Sequence, residues 1–186
     1  LEIQDEFQCK GLTYWFDAKR KTAFCLVEAP NKDAIQDMHN HAHGSVPHRI
    51  IEVDAAIVES FLGRIEDPKK SRKTELNIIN DPAFRSIMVI KFQKTSLQEA
   101  HDDETNNNES QIVDLLRSLE KFKARIVKQK PDYFLTSLES VTQAVLCALE
   151  IQQAHKKSVI IKHSNPSNHL HLGISAGIPV SEKDGF

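Results

Sequence analysis

The sequence has no long apolar run, no surplus of either charge and few cysteines, and each shortage argues against a class of protein. None of its apolar stretches reaches the roughly 18–20 residues that a membrane-spanning helix needs, and no signal peptide is visible. The 24 basic and 26 acidic side chains nearly cancel, to a net charge of −2. Without a single-signed field there is no general electrostatic case for nucleic acid or a membrane as partner. The three cysteines, Cys9, Cys25 and Cys147, are odd in number and widely spaced. That argues against a disulfide framework and for a reducing, cytoplasmic compartment. Cys25 and Cys147 each sit in an apolar run, which suits buried structural thiols.

What is present is the material of a globular protein. Of the 186 residues 40% are hydrophobic and 27% charged, the ordinary balance for a packed core under a solvated surface. The length fits one large domain or two small ones. Five of the nine histidines fall in two tight groups, at 39, 41 and 43 and at 169 and 171.

Residues 1–9 read as the end of a helix. Residues 11–17 (GLTYWFD) and 22–29 (TAFCLVEA) are rich in β-branched and aromatic side chains around a polar turn, the mark of a hairpin. A helix follows, with Asn31 as N-cap and Gly44 as its C-terminal stop. Its inward face is Ala34, Ile35, Met38, His39 and Ala42, at three- and four-residue spacing. Residues 49–53 (RIIEV) predict another strand and 57–62 a short amphipathic helix. The charged stretch 63–84, with Pro68 and the basic run 69–73, reads as an interdomain linker. Five residues, one of them serine, are too few to claim nucleic acid.

The second half opens with the apolar run 86–92 (SIMVIKF), expected to be a central strand. Residues 101–110 (HDDETNNNES) are acidic and asparagine-rich, which predicts a mobile surface loop. Ile112, Leu115, Leu116, Leu119 and Phe122 then mark one face of a helix. Residues 124–129 and 133–138 predict two strands about the turn 130–132, and 140–155 a helix with Val141, Val145, Ala148 and Leu149 on its stripe. A loop at 164–168 leads to a final strand at 170–178. Strand, helix, strand, strand, helix, strand is the ferredoxin-like plan. The expected class is therefore α+β, with two ferredoxin-like modules at 1–62 and 85–186, each an antiparallel sheet with helices on one face.

Four segments of the second module, 85–92, 124–138, 144–152 and 172–179, resemble in order the class III adenylate/guanylate cyclase homology domain. Such domains hold two divalent ions on an Asp of the first strand and an Asp in a Gly-Asp-Gly turn. The resemblance places Lys91 at the first position, where an ammonium cannot ligate a cation. At the second it keeps Asp132 but flanks it with Pro131 and Tyr133, which lack glycine's positive-φ freedom. The segment supplying the late catalytic Asn and Arg has no counterpart. The expectation is a degenerate, catalytically inactive regulatory module, in which Lys91 approaches Asp132 in place of the metals. As a bare residue Asp132 reads as an exposed turn acid sooner than as a metal ligand.

Residues 12–17, 24–32, 39–44 and 50–53 of the first module resemble a small bacterial family of ferredoxin-like, nickel-binding dimers. The family's first strand has no counterpart here, and the chain opens on Leu1 rather than Met, so an upstream segment is expected. The chemistry lies in the run 39–43 (HNHAH). His39 and His43, four apart on a helix, offer two imidazoles to one ion, while His41 points about 200° away. Imidazole suits nickel, zinc and copper. The other reading is two histidines near the negative end of a helix dipole. Glu28, Cys9 and His48 are the available further ligands, none at convincing spacing. His169 and His171 share one side of the last strand, where a solvent-facing polar surface competes with a metal pair. Trp15 reads as core or interface packing.

Three functions follow from these residues: a metal-binding or metal-sensing protein with an inactive cyclase-like signalling module, a working cyclase, or a ligand-free assembly module. The first is preferred, with a divalent transition metal such as nickel as cofactor. Both resemblances imply a homodimer.

Overall fold

The protein is described by a computed structural model over residues 2–44, 46–67, 80–94, 103–161 and 168–178. Across these the chain is α+β with two antiparallel sheets. It divides into two compact units, one formed by residues up to Ala83 and the other by Phe84–Gly177.

The first unit contains helix α1 (Glu2–Glu6), strands β1 (Lys10–Asp17) and β2 (Thr22–Glu28), and helices α2 (Lys32–His43) and α3 (Ala55–Leu62). The hairpin forms because its strands alternate and its turn is tied down. Thr13, Trp15 and Asp17 alternate inward along β1. The Asp17 carboxylate accepts from the backbone N–H groups of Lys19 and Arg20, each at 3.0 Å, and from the Arg20 guanidinium at 2.6 Å. Those bonds, the Arg20 side chain's first, hold the Asp17 carboxyl below the usual carboxylate range. Trp15 is 1% exposed and is core, packed against Phe24 with ring centroids 5.4 Å apart.

Chain after α3 returns to this hairpin. Arg64 lies over the Trp15 ring at 5.0 Å and donates to the Tyr14 carbonyl at 2.6 Å. Asp67 accepts from the Thr13 hydroxyl at 2.7 Å. The basic run 69–73 lies outside the described residues. One expectation fails here: residues 49–53 form no strand. Their β-branched side chains suit partial burial, and Ile50, Ile51 and Val53 are half-buried. A strand needs a neighbouring backbone to complete its ladder, and composition cannot supply one.

The second unit runs β3 (Arg85–Lys94), α4 (Asp103–Lys121), β4 (Arg125–Lys130), β5 (Tyr133–Leu138), α5 (Val141–Ile161) and β6 (Asn168–Gly177). Its strands are ordered β4-β5-β3-β6, all pairs antiparallel, the ferredoxin-like arrangement. Met88 and Ile90 of β3, Phe134 and Leu138 of β5, Leu119 of α4 and Ile151 of α5 belong to one core. Each fully buried side chain of this size contributes about 1.5–3 kcal/mol. Within the core the Thr136 hydroxyl donates to the Met88 carbonyl at 3.0 Å, so the buried hydroxyl is not orphaned.

Two further expectations are corrected in this unit. Residues 103–110, expected as a loop, are the first turns of α4. Helix formation is cooperative, and the apolar positions Leu115 and Leu119, buried against the sheet, dock the helix that these turns extend. On α5 the buried stripe is Ala144, Cys147, Ala148 and Ile151, whereas Val141, Val145 and Leu149 of the expected stripe are 42–48% exposed. Ser140 caps this helix, its hydroxyl accepting from the Gln143 N–H at 3.2 Å.

Candidate functional site

Helix α2 positions the histidines. Asn31 has extended backbone angles, φ −163° and ψ 176°, and its side chain accepts from the Ala34 N–H at 2.8 Å. At the other end Gly44 adopts φ 70°, a left-handed conformation that glycine takes without a Cβ clash, and donates to the Asn40 carbonyl at 3.1 Å. Both caps match the sequence reading. They carry the helix through position 43, so His39 and His43 stand one turn apart on one side of it. Met38 is the buried anchor and His39 is half-buried at the rim. Of His43 only the backbone is described. His41, on the other side, has its ring centroid 5.7 Å from that of Phe7 in the turn after α1. This contact ties α2 to the turn after α1 and agrees with the expected divergence of His41 from the pair.

No group of three or more His, Cys, Asp or Glu side chains converges among the described residues. Cys9 is buried, its thiol reaches the Phe7 carbonyl at 3.5 Å, and burial pushes its pKa up, which disfavours the thiolate a metal needs. Glu28 and His48 are exposed and join no such group. Among the described residues no such group forms around His39.

In the second unit Lys91 is exposed on β3, between Tyr133 of β5 and His171 of β6. Asp132 is exposed in the β4–β5 turn, where its carbonyl accepts from the Phe92 N–H at 2.8 Å. The expected ammonium–carboxylate contact does not form: no ion pair within 4.0 Å joins these two described residues. Register explains the miss. Lys91 pairs with Tyr133, so Asp132 sits opposite Phe92, and successive residues of a strand face opposite ways. His169 and His171 are both exposed, as a solvent-facing side of β6 requires. A small cleft lined by Phe92, Asp114, Leu115 and Ile151 has a volume of about 20 Å³, room for one water. No described helix is long and apolar enough to cross a membrane.

Two features escaped the sequence reading. The Arg64 stack on Trp15 joins residues 49 apart and leaves no local pattern. The cross-strand alignment of Lys91 with residues of β4, β5 and β6 exists only once the register is known.

No curated protein matches the chain. A match to known families does exist, and it ends at residue 53, so the cyclase resemblance of the second unit gains nothing from it. Residues 1–53, the stretch that carries α1, β1, β2, α2 and both histidines of the pair, are similar to the family described as nickel responsive protein SCO4226-like.

Proposed function

We propose that the first unit binds a divalent transition metal, nickel foremost, through His39 and His43 at the C-terminal end of α2. The observation that carries this reading is the nickel-responsive match over residues 1–53, which contains both side chains. Their one-turn spacing supplies the geometry, and imidazole is a ligand type that nickel favours. Two protein nitrogens leave most of a coordination shell open. The reading therefore includes a homodimer, in which two such pairs would give the four-nitrogen set suited to a tetragonal nickel(II) ion. Equilibrium dialysis against nickel, followed by elemental analysis, tests it. The expected result is half to one nickel per chain, lost in the double variant His39→Ala/His43→Ala; equal loading of both proteins would rule the pair out.

The second unit, in this reading, is a non-catalytic module. The specific observation is Lys91, exposed on the central strand where a cyclase-like site needs a carboxylate. Incubation with ATP or GTP and manganese should yield no cyclic nucleotide. Metal-dependent product that disappears in Asp132→Ala would show that the site works after all.

A further inference from the structure

Among the described residues the sheet of the second unit ends in two open edges, β4 and β6. An open edge presents a row of unpaired N–H and C=O groups, and proteins blunt it with charges, proline, a bulge or brevity. Strand β4 carries such devices. It has six residues, Arg125, Lys128 and Lys130 among them, and its pairing with β5 shifts register between Ile126 and Lys128. Strand β6 carries none. Over ten residues (NHLHLGISAG) it has no Asp, Glu, Lys, Arg or Pro, and its pairing with β3 runs unbroken from Asn168 to Gly177.

An apolar helix side accompanies the undefended edge. Helix α5 touches both β3 and β6. Its α4-facing side is marked by Cys147, whose thiol reaches the Ser118 carbonyl at 3.9 Å, and by Glu150, paired with Lys121. At about 100° per residue, Val141 and Val145 point roughly the opposite way, out beyond β6. They are 47% and 42% exposed. On the same side of the sheet Ile174 of β6 stands opposite the fully buried Met88, yet it is 40% exposed. A helix side and a strand edge, both apolar, are thus left uncovered together.

We infer that β6 joins two copies of this chain edge to edge, making one antiparallel sheet of eight strands. A two-fold axis beside β6 reverses the strand, as antiparallel pairing requires, and one surface serves both copies. Only registers with a β6 residue on that axis keep Leu170, Leu172 and Ile174 on the helix-covered side in both copies. Every second residue of β6 points its N–H and C=O outward and exchanges two bonds with its counterpart. That gives about eight to ten bonds, the number of an ordinary protein–protein interface. The helices fit the same geometry. An α5 centred over β3 and β6 stands one strand spacing, about 4.8 Å, from the axis, and so about 10 Å from its copy. Packed helices lie about 8–10 Å apart, so the two uncovered sides close on each other. The joined face is about 33 Å long and, with the helix, about 15 Å high. In projection it covers about 500 Å² per copy, at the roughly 1,000 Å² total that a specific interface needs. Strand β6 offers no charge that would select a foreign chain, whereas its own copy matches it in length and in helix cover. The metal reading of the first unit plays no part in this inference.

Sedimentation velocity of the full chain in metal-stripped buffer tests it, over a protein concentration range of about a hundredfold, with amide exchange read by mass spectrometry at both ends. The expected result is a monomer–dimer equilibrium in which residues 168–177 exchange about tenfold or more slowly at the high concentration, while the other edge, 125–130, is unchanged. Val145→Lys and Ile174→Lys each place an ammonium in the join and should weaken association about tenfold or more. Val145 is an exposed helix position, so its replacement should leave the melting temperature of dilute protein unchanged and decides the matter even where Ile174→Lys unfolds the sheet. Leu146→Lys, on the same helix, 49% exposed and turned about 100° from Val145, should leave association as it is. A chain that stays monomeric, with β6 exchange independent of concentration, leaves the edge to some other strand and overturns the inference. So does a dimer whose concentration-dependent protection falls outside β6, or one that Leu146→Lys weakens as much as Val145→Lys.

Discussion

Helix α5 offers a sharp test, because two of its residues only two positions apart should lose very different amounts of stability on the same substitution. Ile151 is 3% exposed and belongs to the second unit's core; Leu149 is 48% exposed. Ile151→Ala removes buried methylene and methyl groups and leaves a cavity, which destabilises by about 2–5 kcal/mol. Leu149→Ala gives up only the buried half of a side chain worth about 1.5–3 kcal/mol. Alanine's higher helix propensity returns a few tenths of that, so the net effect is below about 1 kcal/mol. With a urea slope of about 2 kcal/mol per molar, the Ile151→Ala midpoint should fall by about 1 M or more and the Leu149→Ala midpoint by less than about 0.5 M. Urea unfolding followed by far-ultraviolet circular dichroism measures both. If Leu149→Ala loses as much as Ile151→Ala, the helix packs by the other stripe or its outer face is covered in solution, and the burial reasoning is refuted.

Three further outcomes follow from particular residues. Burial, with the Glu150 charge second, pushes the Cys147 thiol up to about 11. The folded chain therefore keeps a proton that the unfolded chain loses; the stability from this group is fully present below about pH 9 and declines by up to about 2–3 kcal/mol as pH rises toward 11. Urea midpoints at pH 8 and 10.5 should show that decline in the parent and a shallower one in Cys147→Ala; equal slopes would refute it. Asn31→Ala removes the N-cap bond to Ala34 and should loosen α2 by about 1 kcal/mol, read as about fivefold faster amide exchange in its first turn. Arg64→Ala removes the cation stacked on Trp15 and the bond to the Tyr14 carbonyl, and should lower the first unit's stability by about 1–3 kcal/mol, followed by Trp15 fluorescence.

Much of the fold was legible because its signals are local. Asn31 and Gly44 bracket α2 through chemistry confined to single residues, and the four-strand order of the second unit follows from the succession of elements. What was illegible depends on partners distant in the chain. Helix α5 is apolar nearly all round between Val141 and Ile151, so periodicity could not say which stripe meets the sheet. Residues 49–53 have strand composition without a strand partner. The candidate site divides in the same way. The one-turn spacing of His39 and His43 is readable from the sequence, whereas the separation of Lys91 from Asp132 is decided by a register in which Lys91 pairs with Tyr133.

The central claim, metal binding at the end of α2, is tested most directly by calorimetric titration of nickel into the parent and the single variants His39→Ala, His43→Ala and His41→Ala. His41 packs against Phe7, so its replacement controls for disturbance of the helix without removing a proposed ligand. Loss of a group that merely supports a metal ligand weakens affinity about 10–100-fold, and loss of a ligand itself should weaken it at least as much. The account predicts saturable binding in the parent and His41→Ala, and affinity reduced by about tenfold or more in His39→Ala and His43→Ala. The same affinity in all four proteins would contradict it.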